Sequence, residues 1–315
     1  MKPVRTLADA LGAGVLVLDG GLSNQLEAQG CDLSDALWSA RLLADGPEQI
    51  EAAHAAYVRA GARVLITSSY QATFEGFARR GVDREEAARL LARSVELARA
   101  AAAGVAEEVW VAGSVGPYGA MLADGSEYRG RYGLSVRELE VFHRPRIEAL
   151  AAAEPDVLAL ETVPDVTEAE ALLRAAEGCG VPVWLSYTVE GGRTRAGQDL
   201  AEAFAVAAGN DRVVAVGVNC CDPAEAGPAV ELAVAVTGKP AVVYPNSGER
   251  WDARARGWHG DIAFDPARAT DWAASGARLI GGCCRVGPAT VSALGTSLVT
   301  GGGGGGGGGE GAGEG

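Results

Sequence analysis

The chain has 315 residues, 48% hydrophobic and 22% charged, an ordinary globular composition with ample material for a large core. A formal charge of −14 argues against nucleic acid or an anionic membrane surface as partner. The opening Met1–Gly14 lacks the apolar core of a signal peptide, no apolar run reaches the roughly 20 residues that span a bilayer, and six cysteines are too sparse for a disulfide scaffold. The expectation is a cytoplasmic enzyme with reduced thiols, a monomer or small homo-oligomer, whose partners are small molecules.

Eight short apolar runs follow one another along the chain: Val15–Gly21, Arg63–Thr67, Trp110–Val115, Val157–Glu161, Val183–Tyr187, Val213–Asn219, Ala241–Pro245 and Arg278–Gly282. Several are rich in valine and none alternates with polar residues, the pattern of strands buried on both faces of a parallel sheet. Helical segments rich in Ala, Leu and Glu lie between them. Asp83–Glu86, Ser135–Glu138, Thr167–Glu170 and Asp199–Glu202 carry capping-box spacing, and Asp222-Pro223 and Asp265-Pro266 put proline just inside a helix start. Eight βα units in series predict an α/β protein, a single-domain (β/α)8 TIM barrel over residues 1–300, in preference to an open doubly wound sheet. Two connections, Gly116–Leu134 and Asn246–Phe264, are long and follow strand C-termini, so they are expected to overhang the barrel mouth. The glycine-rich end, Gly301–Gly315, has no side chains to pack and is expected to be disordered.

In a barrel, the residues that close the strands converge on one face. Here those residues are Asp19-Gly20-Gly21, Glu161-Thr162, Asn219-Cys220-Cys221, Pro245-Asn246-Ser247 and Gly281-Gly282-Cys283-Cys284-Arg285. A cluster of thiols, carboxylates and amides results. Such thiols bind a metal, form a disulfide, or serve as small buried apolar groups. Three thiolates from two strand ends suit Zn2+, which takes sulfur ligands in tetrahedral geometry and keeps a fourth position open when catalytic. His54 and His143 read as packing residues, His259 as a loop residue within possible reach of the site, and Cys31 and Cys179 as structural. Lys239 stands at the start of strand seven, the wrong end for Schiff-base chemistry, and no dinucleotide fingerprint is present.

Gly217-Val218-Asn219-Cys220 together with Gly281-Gly282-Cys283-Cys284-Arg285 resembles the homocysteine S-methyltransferase family, in the branch that uses S-methylmethionine or S-adenosylmethionine. The likeness runs from about Val15 to Leu298 and includes Leu37-Trp38-Ser39-Ala40, Ser69-Tyr70-Gln71-Ala72-Thr73 and Gly113-Ser114-Val115-Gly116-Pro117-Tyr118-Gly119. It continues through Asp124-Gly125-Ser126-Glu127-Tyr128-Arg129-Gly130, Phe142-His143-Arg144-Pro145-Arg146 and Val243-Tyr244-Pro245-Asn246-Ser247-Gly248-Glu249. The resemblance implies Zn2+ on Cys220, Cys283 and Cys284, with the homocysteine amino group near Glu161 and Asp19. It implies substrate contacts from Asn219, Tyr70 and Asn246 as well. Two departures stand out: Leu22-Ser23-Asn24-Gln25 replaces the expected small residue and threonine, and Cys221 adds a thiol beside a ligand.

The chemistry implied is methyl transfer from a sulfonium to the homocysteine thiol, forming methionine. A free thiol has a pKa near 8.5 and is mostly protonated at neutral pH, whereas zinc deprotonates it. Among relatives, a folate donor goes with a second barrel and a betaine donor with a C-terminal extension; with neither seen in these 315 residues, a sulfonium donor is the expectation. The long loops suit a small amino-acid sulfonium, so S-methylmethionine is expected ahead of S-adenosylmethionine, and Asp124, Glu127 and Glu249 in those loops offer charge to attract it. Other readings of the same residues are a non-catalytic zinc- or thiol-binding barrel, and a methyltransferase for another small thiol or selenol such as selenohomocysteine.

Overall fold

The computed structural model describes residues 2–33, 37–252 and 257–301. Of the glycine tail expected to be disordered from Gly301, Gly301 itself ends the helix Pro288–Gly301, and residues 302–315 lie outside the described residues. The strands are β1 (Leu16–Val17), β2 (Val64–Ile66), β3 (Trp110–Val115), β4 (Val157–Val163), β5 (Val183–Tyr187), β6 (Val213–Asn219), β7 (Ala241–Tyr244) and β8 (Ala277–Ile280). They pair in parallel in the order β1-β8-β7-β6-β5-β4-β3-β2. A parallel bridge between Leu18 and Val64 then joins the last strand to the first, supported by Asp19 N–H to the Val64 carbonyl at 3.0 Å. The sheet closes. An open doubly wound arrangement is thereby excluded and the (β/α)8 barrel stands.

Every expected strand is present, with small shifts at the ends. β1 is shorter than expected because Asp19-Gly20-Gly21 leaves the ladder, Gly21 N–H turning to the Val286 carbonyl at 2.9 Å. Most helix starts also fall where the caps indicate: Asp83, Ser135, Asp199 and Asp222 each accept a first-turn N–H, and Ser135 with Glu138 forms the full reciprocal box. The helix after β4 differs. It begins at Val166, and Asp165 rather than Thr167 is its cap, accepting the Thr167 N–H at 2.9 Å. Asp265 caps a short 3-10 turn, Pro266–Arg268, that leads into the helix Ala269–Ala274.

Two apolar layers result. The outer one lies between the strands and the surrounding helices; the inner one fills the barrel with Leu18, Val64, Trp110, Val157, Trp184, Val242 and Leu279 among others. An N-terminal helix, Leu7–Ala13, sets Leu7 and Leu11 in that same inner cluster, and Trp110 Nε1 donates to the Arg5 carbonyl at 3.1 Å. The N-terminal end of the barrel is therefore plugged, and side chains toward the other end have only the mouth to face. Alternation along a strand sends every second residue inward. Following it upward from the apolar floor, Ala112 leads to Ser114, Ala159 to Glu161, Trp184 to Ser186 and Val242 to Tyr244, all buried. The interior changes from apolar to polar within one two-residue step.

Gly217 on β6 pairs with Val242 on β7, and a Cβ on Gly217 would stand 1.9 Å from the Val242 carbonyl oxygen. Backbone must move to admit it. Gly217→Ala should lower the thermal midpoint, followed by far-UV circular dichroism, by about 5 °C or more. An unchanged midpoint would contradict this packing.

Candidate functional site

The site is built where β6, β7 and β8 run out. Backbone pairing continues past the strand ends: Cys220 N–H reaches the Tyr244 carbonyl at 3.1 Å, Cys283 N–H the Pro245 carbonyl at 2.8 Å, Asn246 N–H the Cys221 carbonyl at 2.9 Å and Ser247 N–H the Cys284 carbonyl at 3.0 Å. The segment after β7 thus forms a spine with one cysteine pair on each side. Cys220 itself has φ 51° and Arg285 φ 66°, left-handed conformations that are unfavourable for residues with a Cβ and tolerated where neighbours impose them. Asn246 Oδ1 accepts the Cys284 N–H at 3.1 Å, and Asn24 Oδ1 accepts the Arg285 N–H at 2.6 Å. The unexpected asparagine in the segment after strand one therefore holds the turn that carries Cys283 and Cys284.

Among the described residues, the sulfur atoms of Cys220, Cys283 and Cys284 all lie within 4.8 Å of one another, and Cys220 Sγ to Cys284 Sγ is 3.7 Å. A tetrahedral zinc with Zn–S bonds of ~2.3 Å separates its sulfurs by about 3.8 Å. Cys221 is elsewhere: it is buried in the outer apolar layer, where burial pushes its thiol up. It is no competitor for the site. Hydrogen bonds from Cys283 and Cys284, with lesser ones from Tyr128 and Asn246, hold the Cys220 thiol well below its ordinary range. The same bonds to Cys220 push Cys283 and Cys284 well above it, since three negative sulfurs this close repel. A soft divalent cation removes that conflict.

A second cluster lies beside the first. Glu161 is buried and receives hydrogen bonds from the Ser114 hydroxyl and from Tyr244 Oη, the latter at 3.0 Å. Burial nevertheless pushes its carboxyl up to about 7. Asp19, also buried, spends one oxygen on the Ile66 N–H at 2.8 Å, and its Oδ1 has no partner. Burial raises Asp19 well above the carboxylate range, and the nearby Glu161 charge adds to the effect. Two buried carboxyls with an unused oxygen make a receptor for a small cation such as an ammonium.

The remaining expected residues take supporting positions. Asn219 Oδ1 accepts the Thr162 N–H at 2.7 Å while its Nδ2 donates to Thr162 Oγ1 at 2.7 Å. That pair holds Thr162 at φ 57°, a conformation rare for a β-branched residue, and so fixes the chain next to Glu161. Ser186 Oγ lies 2.8 Å from both Asn219 Oδ1 and Tyr244 Oη, which links the two residues. Tyr70 is half-buried, with Thr162 as a hydrogen-bond partner and the charges of Glu127 and Cys220 close by. Its ring lies on Gly116, where a Cβ would come within 2.6 Å of it.

Sequence reasoning missed Ser114, Ser186 and Tyr244 as lining residues, although each follows a buried apolar residue at the two-residue spacing of its strand. It also missed Tyr128, whose hydroxyl is 3.1 Å from Cys220 Sγ. The loop after β3 brings it there through a short helix, Tyr118–Leu122, and a 3-10 turn, Ser126–Tyr128. Arg195 fixes the tyrosine, donating to the Tyr128 carbonyl at 3.1 Å with its guanidinium 5.6 Å from the ring centroid. Beneath this loop a buried network joins Arg146, His143 and Glu168: His143 Nε2 is 2.9 Å from Glu168 Oε1, and Arg146 donates to the Gly116 carbonyl. His54 is buried in the packing as expected, His143 is instead a polar member of that network, and His259 is exposed on a short hairpin, Arg250–Asp252 with Gly257–His259.

Known proteins share this architecture. The sequence profile of the homocysteine S-methyltransferase family matches residues 16–298. The homocysteine S-methyltransferase of Escherichia coli (strain K12) is 46% identical over 304 residues, covering 93% of this chain and 97% of its own. Homocysteine S-methyltransferase 4 of Zea mays is 46% identical over 305 residues, covering 89% and 88%. The crystal structure of the E. coli homocysteine methyltransferase MmuM in its metallated form superposes with a TM-score of 0.80 at 44% identity, over 89% of this chain and 95% of that one. Its oxidized form gives 0.81 at 43% identity, over 94% and 99%. With the profile covering the whole barrel and the sulfur cluster at its mouth, the chain belongs to the homocysteine S-methyltransferase family.

Proposed function

We propose that this methyltransferase uses zinc held by Cys220, Cys283 and Cys284, and that its methyl donor is a small sulfonium, S-methylmethionine ahead of S-adenosylmethionine. The observation that carries the reading is the pairing of three sulfurs within 4.8 Å of one another with a buried carboxyl pair beside them. An amino thiol matches both halves. Its sulfur suits the cysteine cluster and its ammonium suits Glu161 and Asp19. The donor set fits zinc: three sulfurs lie within 4.8 Å of one another, one pair at 3.7 Å, near the spacing of a tetrahedral site, and Cys283 and Cys284 are held toward the neutral thiol by their crowding. Zinc bound there supplies the Lewis acidity that keeps a thiol deprotonated at neutral pH.

Each protein group then has a definite task. Ser114 and Tyr244 aim the Glu161 carboxylate, and an ammonium between Glu161 and Asp19 favours the ionised form of both. Asn219 holds Thr162 and thereby the end of β4. Tyr128 and Asn246 donate to Cys220, which orients its sulfur. In the transfer itself a lone pair of the homocysteine sulfur forms the new S–CH3 bond. The donor S–CH3 bond breaks with its electrons passing to the leaving sulfur, which becomes a neutral thioether. No proton moves in that step, so the protein contributes placement and charge. The loop that holds Tyr118–Leu122 and Ser126–Tyr128 reaches Cys220 through Tyr128, and so borders the space a donor must enter. Among the described residues no helix is long and apolar enough to cross a membrane.

Metal analysis of purified protein should find about one zinc per chain, and Cys220→Ala, Cys283→Ala and Cys284→Ala should each lose it along with turnover, because two thiolates hold zinc weakly. Cys221→Ala should retain both; full zinc and activity in Cys284→Ala would break the ligand assignment. Tyr128→Phe keeps the ring on Arg195 but removes the hydroxyl from Cys220. Competition with a chromophoric chelator should show zinc held about tenfold more weakly, and unchanged affinity would show that the hydroxyl does nothing for the metal. Glu161→Gln should raise the homocysteine KM by a factor of ten or more, with zinc content preserved, as expected when one partner of a buried charge pair is removed. Loss of zinc in that variant would instead make Glu161 a metal ligand or a folding determinant.

A further inference from the structure

Among the acids of the two long loops at the mouth, Asp124, Glu249 and Glu127 differ sharply in how they are used. Asp124 is exposed, accepts the Ser126 N–H at 2.9 Å and lies 3.6 Å from Arg129. Glu249 is held by Arg285 through bonds of 3.1 and 3.0 Å and by Ser247 at 2.9 Å. Glu127 is different. It is 8% exposed, and its Oε2 is buried without a hydrogen-bond partner. Its own backbone N–H and the nearby Arg129 charge offset only part of that burial, and a buried carboxylate oxygen left without a partner is costly.

Its position narrows what that occupant is. The Glu127 charge acts on the Cys220 sulfur and on the Tyr70 hydroxyl, and the next residue, Tyr128, touches Cys220 Sγ. Methyl transfer requires the donor sulfur in line with the acceptor sulfur, with the reacting atoms about 3–3.5 Å apart. The donor's sulfonium therefore comes to rest close to the cysteines, whereas its ammonium hangs on a further carbon chain. The acceptor's ammonium already has Glu161 and Asp19.

We propose that Glu127 is the counter-ion of the methyl donor's sulfonium, a second cation subsite distinct from the Glu161–Asp19 pair. The inference rests on the sulfonium-donor reading above. It also has a kinetic consequence. The sulfonium loses its charge as the methyl leaves, so a carboxylate beside it stabilises the bound donor more than the transition state. Burial holds the unliganded Glu127 carboxyl up at about 7, and the arriving cation favours its ionised form.

The test uses zinc-loaded wild type and Glu127→Gln, at saturating homocysteine, with two probes of one shape. One is S-methylmethionine; the other is 2-amino-5-methylhexanoate, in which a neutral CH replaces the sulfonium and the ammonium is kept. For Glu127→Gln the S-methylmethionine KM should rise about tenfold or more, with kcat changed far less. Inhibition by the neutral isostere should weaken less than twofold, and zinc content and homocysteine affinity should match wild type. An unchanged donor KM overturns the assignment. So does a parallel weakening of both probes, which would mean a loosened loop or an ammonium contact. Wild-type turnover of S-methylmethionine separates the two levels: its absence removes the donor reading and this inference together, whereas its presence with an unaltered KM in the variant removes only the role of Glu127.

Discussion

Three sulfur atoms forced together at the mouth of a plugged barrel are the constraint on which the rest of the site depends. The sheet order places β7 between β6 and β8, so the segment after β7 can hydrogen-bond to the cysteine turns on both sides. That spine, with Asn246 and Asn24 tying down the turns, imposes left-handed conformations on Cys220 and Arg285 that the chain would not adopt alone. The outcome is directional. Cys220 meets Cys283 and Cys284, while its neighbour Cys221 passes into the apolar layer behind the sheet.

Charge then divides the mouth into two compartments. The sulfur cluster suits a soft divalent cation, and the carboxyl pair suits a hard monovalent one. Crowding and burial drive Cys283 and Cys284 toward the neutral thiol, and Asp19 and Glu161 toward the neutral acid. A ligand that satisfies both at once carries a thiol and an ammonium on a short chain. On the proposed reading, a small amino acid that brings both charges to these groups is held by few contacts. Tyr244, Ser186 and Asn219 make the partition rigid, because one chain of hydrogen bonds runs from Glu161 through them to the strained Thr162.

Much of this was legible in the sequence. Valine-rich apolar runs alternating with helical segments pointed to the barrel, and reading which residues close each strand brought Asp19, Glu161, Asn219, Cys220 and Cys283-Cys284 to one face. The failures have physical reasons. Thr167 looked like a cap because the spacing to Glu170 fits, but Asp165, two residues earlier, reaches the first-turn N–H with a stronger acceptor. That Cys220 rather than Cys221 faces the site came correctly from the family resemblance alone, since it depends on a left-handed residue that no spacing rule signals. Tyr128 lies 92 residues from the cysteine it touches, in a loop whose path is set by the buried Arg146, His143 and Glu168 underneath. Ser114, Ser186 and Tyr244 were within reach of simple alternation and were overlooked because the strands were read only at their last residue.

X-ray absorption at the zinc edge tests the central claim most directly. Zinc-loaded protein should show three sulfur ligands at about 2.3 Å, rising to four when homocysteine is added. A shell with fewer than three sulfurs, or one that homocysteine leaves unchanged, would contradict the account of a cysteine cluster built to receive a substrate thiol.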